Sequence, residues 1–113
     1  MEKKPASNTF LDRLDRVIEQ NILHTDIDLP FLTDKMAMSH STLYRRVKSL
    51  TGLTAQAYVS KVRLRVARSL IENGECNVTE AAMATGFNQM AHFREVFTRE
   101  FGFLPSEVRK KRL

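Results

Sequence analysis

One cysteine, no tryptophan, three prolines and four glycines in 113 residues leave this sequence few devices that staple or break a fold. The lone thiol, Cys76, excludes a disulfide framework within the chain. With no second cysteine or histidine nearby in sequence, it reads as an ordinary free thiol ahead of an acceptor nucleophile. His24, His40 and His92 lack the i, i+4 spacing and cysteine company of a metal site, so no metal, cofactor or catalytic residue is expected. No apolar run approaches the roughly 18 residues that span a bilayer. Met1-Glu2-Lys3-Lys4-Pro5 has charge but no apolar stretch behind it, so it does not read as a secretory signal. A cytoplasmic location without membrane contact is the default, although a longer parent could itself be membrane-anchored. Alternating strand patterns are absent, which leaves an all-α fold of about seven helices.

The sharpest absence is local. Residues 1–34 carry a net charge of −3 and residues 72–113 a net charge of zero, whereas residues 35–71 hold eight Lys/Arg and no carboxylate. Ordinary solvated surfaces mix their signs. Lys35, Arg45, Arg46, Lys48, Lys61, Arg63, Arg65 and Arg68 therefore point to a polyanionic partner, with nucleic acid ahead of an anionic membrane surface. Arg63 could instead be a structural arginine tying its helix to a neighbour.

What is present is a repeat. Leu43, Val47, Gly52 and Leu53 recur fifty residues later as Phe93, Phe97, Gly102 and Phe103. An apolar i, i+4 pair, a glycine and an apolar return describe an amphipathic helix ending in a glycine cap. A short helical stretch lies just ahead of each copy, Leu29 to Met36 and Thr79 to Ala84. Short helix, tight turn and second helix form a helix-turn-helix pattern. Ser39 and Asn88 are N-cap candidates for the second helices, Asp28 and Asn77 for the first, and Thr9 for an opening packing helix. Pro105 starts a last short helix through about Lys110.

Between the copies, Thr54 to about Glu72 forms the longest element, apolar on more than one face as a central connector would be. It spans about 28 Å, against roughly 34 Å between successive major-groove windows on one face of DNA. The expected organisation is a flexible tail (1–8), a first helix-turn-helix subdomain (9–53), a connector (54–73) and a second subdomain (74–113).

Two stretches support a family resemblance. Leu32-Thr33-Asp34-Lys35-Met36-Ala37-Met38-Ser39, Leu43-Tyr44-Arg45-Arg46-Val47-Lys48 and Thr51-Gly52 resemble the first helix-turn-helix of the AraC/XylS family of bacterial transcription regulators. Val78-Thr79-Glu80-Ala81-Ala82, Gly86-Phe87, Phe93-Arg94, Val96-Phe97, Phe101-Gly102 and Pro105-Ser106-Glu107-Val108-Arg109 resemble its signature region. The first half is worded most like the C-terminal output modules of hybrid two-component regulators.

The resemblance implies a monomer placing two recognition helices in neighbouring major grooves of double-stranded DNA. It implies base contacts from Ser41, Tyr44 and Arg45 in the first helix, and from Met90, Ala91, His92, Arg94 and Glu95 in the second. Arg45 suits bidentate contact with guanine, and Met90, expected to be exposed, suits a thymine methyl. Arg46, Lys48, Lys61 and Arg65 are the phosphate-contact candidates. RNA polymerase and the sensor or receiver domains of a larger parent are the further partners it admits.

Three positions depart from the pattern: Glu95 replaces a common arginine, Ala37 the usual turn glycine, and Leu104 the usual Ser/Thr cap. The competing reading is a helix-turn-helix fold used for protein docking, with weak general DNA affinity. Because the second reading helix offsets its arginines with acids, the first is expected to supply most of the affinity.

Overall fold

The computed structural model describes residues 6–23 and 27–108. Six α-helices follow in order: α1 (Ala6–Gln20), α2 (Leu29–Met36), α3 (His40–Thr51), α4 (Ala55–Glu72), α5 (Val78–Ala84) and α6 (Met90–Phe101), then a 3-10 turn at Pro105–Glu107. Among the described residues there is no strand, so the chain is all-α. No helix among them is long and apolar enough to cross a membrane.

Helix ends follow local chemistry, because the first backbone N–H groups of a helix have no partner within it. The Asp28 carboxylate accepts from Phe31 N at 3.0 Å, and Ser39 Oγ from Thr42 N at 3.2 Å. Thr54 Oγ1 accepts from Ala57 N at 3.1 Å. Asn77 and Glu80 close a reciprocal capping box, 2.8 and 2.9 Å.

Two expected helix starts shift. α1 is described from Ala6, which places Thr9 inside the helix and not at its cap. α6 is capped at Gln89, not Asn88, with no side-chain bond. The last helix opens at Pro105 as expected, as a 3-10 turn with helical backbone at Val108, and the Glu107 carboxylate accepts from Leu104 N at 2.8 Å, the half of a capping box that asks nothing of the leucine side chain. Its expected continuation to Lys110, and His24, lie outside the described residues.

The chain divides into two compact units, with the boundary inside α4 between Val62 and Arg63. In the first, Leu14 and Ile18 of α1, Leu32 and Met36 of α2, Leu43 and Val47 of α3, and Val59 and Val62 of α4 are buried. Tyr58 donates its hydroxyl to Asp15 Oδ1 at 2.6 Å. The second unit buries Leu64, Ala67 and Ile71 of α4, Ala81 and Ala82 of α5, Phe87, Phe93 and Phe97, and Val108. Cys76 is half-buried against this second core.

Candidate nucleic-acid interface

In both units the repeat fixes which side of a helix faces outward. Leu43 and Val47 are fully buried, as are Phe93 and Phe97. Gly52 and Gly102 take φ +77° and +83°, and each donates its N–H to the carbonyl four residues back, Lys48 O and Thr98 O, at 2.8 Å. α3 and α6 thus share one helix plan, with the face opposite the buried pair turned to solvent.

On α3 those residues are Ser41, Tyr44, Arg45, Arg46 and Lys48, all exposed. Ser39, His40, Ser41, Tyr44 and Arg45 line an open hollow of about 530 Å³. His40 is the member sequence reasoning missed. Its exposed place at the start of the same helix is the signal for it, although it lies outside the base-facing positions that the resemblance implies.

The cations of the acid-free stretch divide by what they touch. The Arg46 guanidinium lies 5.4 Å from the Phe10 ring centre, so this phosphate-contact candidate is braced on α1 although exposed. Lys35 sits 5.6 Å over Phe31. Arg68 is held at 4.8 Å over Phe101 and 5.3 Å over Phe103, with its Nε 3.0 Å from Glu72. Lys61 and Arg65 are exposed on α4.

Arg63 is 7 % exposed and donates through Nη1 to the carbonyls of Ile22 (2.9 Å) and Thr85 (2.7 Å). Of its two readings, the structural one holds. Burial pulls its guanidinium below the ordinary arginine value, because removal from water disfavours the charged form.

α6 presents a different surface. Ala91, His92, Arg94 and Glu95 are exposed, but Met90 is half-buried and packs against the second core. The expectation of a free apolar tip at Met90 is therefore corrected: its unbranched side chain finds more contact in the core than in water. Glu95 accepts from Arg99 Nη2 at 3.1 Å, an exposed i, i+4 pair that neutralises part of the face.

A helix-turn-helix domain model matches residues 32–111. The chain is 42% identical over 81 residues to the HTH-type transcriptional activator RhaS of Escherichia fergusonii, covering 72% of this chain and 29% of that protein. It thus spans under a third of the curated relatives' length. Among solved structures, an AraC-type DNA-binding-domain transcriptional regulator from Chromobacterium violaceum shares the fold, with TM-score 0.83, 24% identity and 94% of each chain covered. The DNA-binding domain of AdpA, a global transcriptional factor solved in complex with a target DNA, aligns with TM-score 0.70 and 30% identity, covering 88% of this chain and 91% of that one.

Proposed function

Because this chain belongs to the AraC/XylS family of helix-turn-helix domains, whose members are regulator domains and not enzymes, we propose that it binds double-stranded DNA sequence-specifically through α3 and α6. The observation that carries this reading is the outward face of α3: Ser41, Tyr44, Arg45 and Lys48, exposed together within a stretch that lacks any carboxylate. A major groove about 12 Å wide admits one helix. Of the α3 cations, Arg45 is the reader, while Lys48 and Arg46 meet phosphates; Lys61 and Arg65 extend the phosphate contacts along α4. Ala91, His92, Arg94 and Glu95 of α6 face the second site, with Met90 lending its outer edge.

In this reading residues 9–53 and 74–113 are two reading subdomains joined by 54–73, working in the cytoplasm where the chromosome lies. Within a longer regulator they form the output, with RNA polymerase and a sensor or receiver segment as further partners.

Selection of duplexes from a random pool, followed by anisotropy titration across salt, tests this. The protein should prefer the selected duplex over random sequence by at least about a thousandfold, the low end of specific binding. Arg45→Ala should relax the choice of base at one position by about 1–3 kcal/mol. Lys48→Ala should weaken all duplexes alike and lower the salt slope by about one. Failure to select any sequence, with salt-insensitive capture of a protein partner, would leave the docking reading in its place.

A further inference from the structure

The repeat reaches further back than its apolar residues and glycines. Arg13 of α1 and Arg63 of α4 stand fifty positions apart, each followed by a buried leucine, Leu14 and Leu64. Arg13 Nη2 donates to Met36 O at 3.1 Å. Arg63 Nη1 donates to Thr85 O at 2.7 Å.

The two carbonyls hold the same structural place. Met36 precedes Ala37 (φ +56°), and Thr85 precedes Gly86 (φ +93°). Around each left-handed residue the same pair of turn bonds closes the short helix. Met38 N donates to Thr33 O and Ala37 N to Asp34 O, at 3.2 and 3.3 Å. Phe87 N donates to Ala82 O and Gly86 N to Met83 O, at 2.9 and 3.2 Å. Each arginine therefore grips the last carbonyl before the turn that leads into a reading helix.

That carbonyl is one of the acceptors a helix end leaves without an intrahelical partner. A guanidinium there makes a charge-assisted hydrogen bond and also meets the negative end of the helix dipole. With the carbonyl fixed, the following residue keeps its left-handed conformation, and the N-cap of the next helix, Ser39 or Gln89, is held two or three residues on.

We infer that Arg13 and Arg63 are paired positioning residues, one per helix-turn-helix, which set the entry of α3 and α6 without touching DNA. The two grips differ in depth. Arg13 is exposed overall, whereas Arg63 is buried and fills the space beside Gly86, where an added Cβ would fall on its Nη1.

The claim that the held helices read DNA rests on the function proposed above, so the test has a DNA-independent arm. Arg13→Gln should raise amide hydrogen exchange at Ala37 and Met38 about tenfold, the weight of one such bond, and leave Gly86 and Phe87 unchanged. Arg63→Gln should do the reverse. Arg63→Lys, which keeps the charge and can satisfy one carbonyl, should restore part of the protection and serves where the glutamine variant does not fold.

On duplexes selected by the wild-type protein, Arg13→Gln should lose about tenfold at the half-site read by α3, with the salt slope unchanged. A uniform rise in exchange across the chain for Arg13→Gln would overturn the assignment. So would unchanged exchange with a salt slope lower by about one, the mark of a direct phosphate contact. If the wild-type protein selects no sequence, the DNA reading fails while the exchange data still decide the arginines' role.

Discussion

The two units solve one packing problem with opposite distributions of volume. In the first, the short helix supplies the large groups, Leu32 and Met36, against Leu43 and Val47 of α3. In the second, the short helix offers Ala81 and Ala82, and α6 brings Phe93 and Phe97. The aromatic stack continues outward, with ring centres 5.0 Å apart for Phe87–Phe93, 5.6 Å for Phe93–Phe97 and 4.6 Å for Phe97–Phe101. Interiors are packed to a fixed density, so a helix plan can persist while its residues change, provided their summed volume does not. The outer faces have no such constraint, and there the units part: cationic on α3, charge-balanced on α6.

The turns provide the strongest way to break this comparison. Gly86→Ala would add a Cβ at φ +93° and drive it onto the buried Arg63 guanidinium. The conformational penalty of roughly 1–2 kcal/mol adds to the displaced hydrogen bonds, roughly 1–3 kcal/mol, so urea unfolding should show a loss of about 2–5 kcal/mol. The mirrored change, Ala37→Gly, relieves a left-handed alanine and should stabilise by about 0.5–1 kcal/mol, after the extra entropy of an unfolded glycine. Equal and small effects at both positions would mean that Arg63 yields easily and the second turn is no tighter than the first.

The volume exchange is the next point of test. Ala81→Leu installs the residue that the first unit carries at the matching position, Leu32, four residues after each N-cap. In a core already filled by Phe93 it should cost about 1–3 kcal/mol. Phe93→Leu, itself destabilising, should recover part of that cost in the double variant, read as a coupling energy in a double-mutant cycle. Strict additivity would show that the two positions do not share space, and the volume argument would fall.

Much of this was legible in the sequence, because caps and core periodicity are local properties. Asp28, Ser39 and Asn77 with Glu80 act as the caps their residue types suggest. The repeat even contains the cap of α6, since Ser39 plus fifty is Gln89; side-chain chemistry favours Asn88, and a cap whose side chain makes no bond leaves no such mark. The second turn simply has one residue more between its left-handed position and its cap. Met90 misled because an apolar residue at a helix start can lean back onto the core or stand free, and sequence spacing does not decide between them. Arg46 and Arg63 look alike in a run of cations, yet one lies over a ring and the other is buried on two carbonyls. The ends of long side chains are set by tertiary neighbours, which is where a pattern of residue types stops being informative.

The smallest expected effect sharpens the contrast between the outer faces. Glu95 neutralises Arg99 across one turn of α6, at 65% and 70% side-chain exposure. Exposed pairs of this kind add only about 0.3–0.5 kcal/mol to a helix, so Glu95→Gln should leave the unfolding midpoint almost unmoved. Its consequence belongs to binding: removal of the acid frees Arg99 and ends a repulsion between Glu95 and phosphate. DNA affinity at low salt should rise about two- to fivefold, and the gain should fade as salt screens it over a Debye length of about 10 Å. A loss of affinity confined to one base of the second half-site would show instead that Glu95 reads a cytosine amino group. In that case the charge balance of α6 is part of its recognition, and the second unit is a reader in its own right rather than a weaker copy of the first.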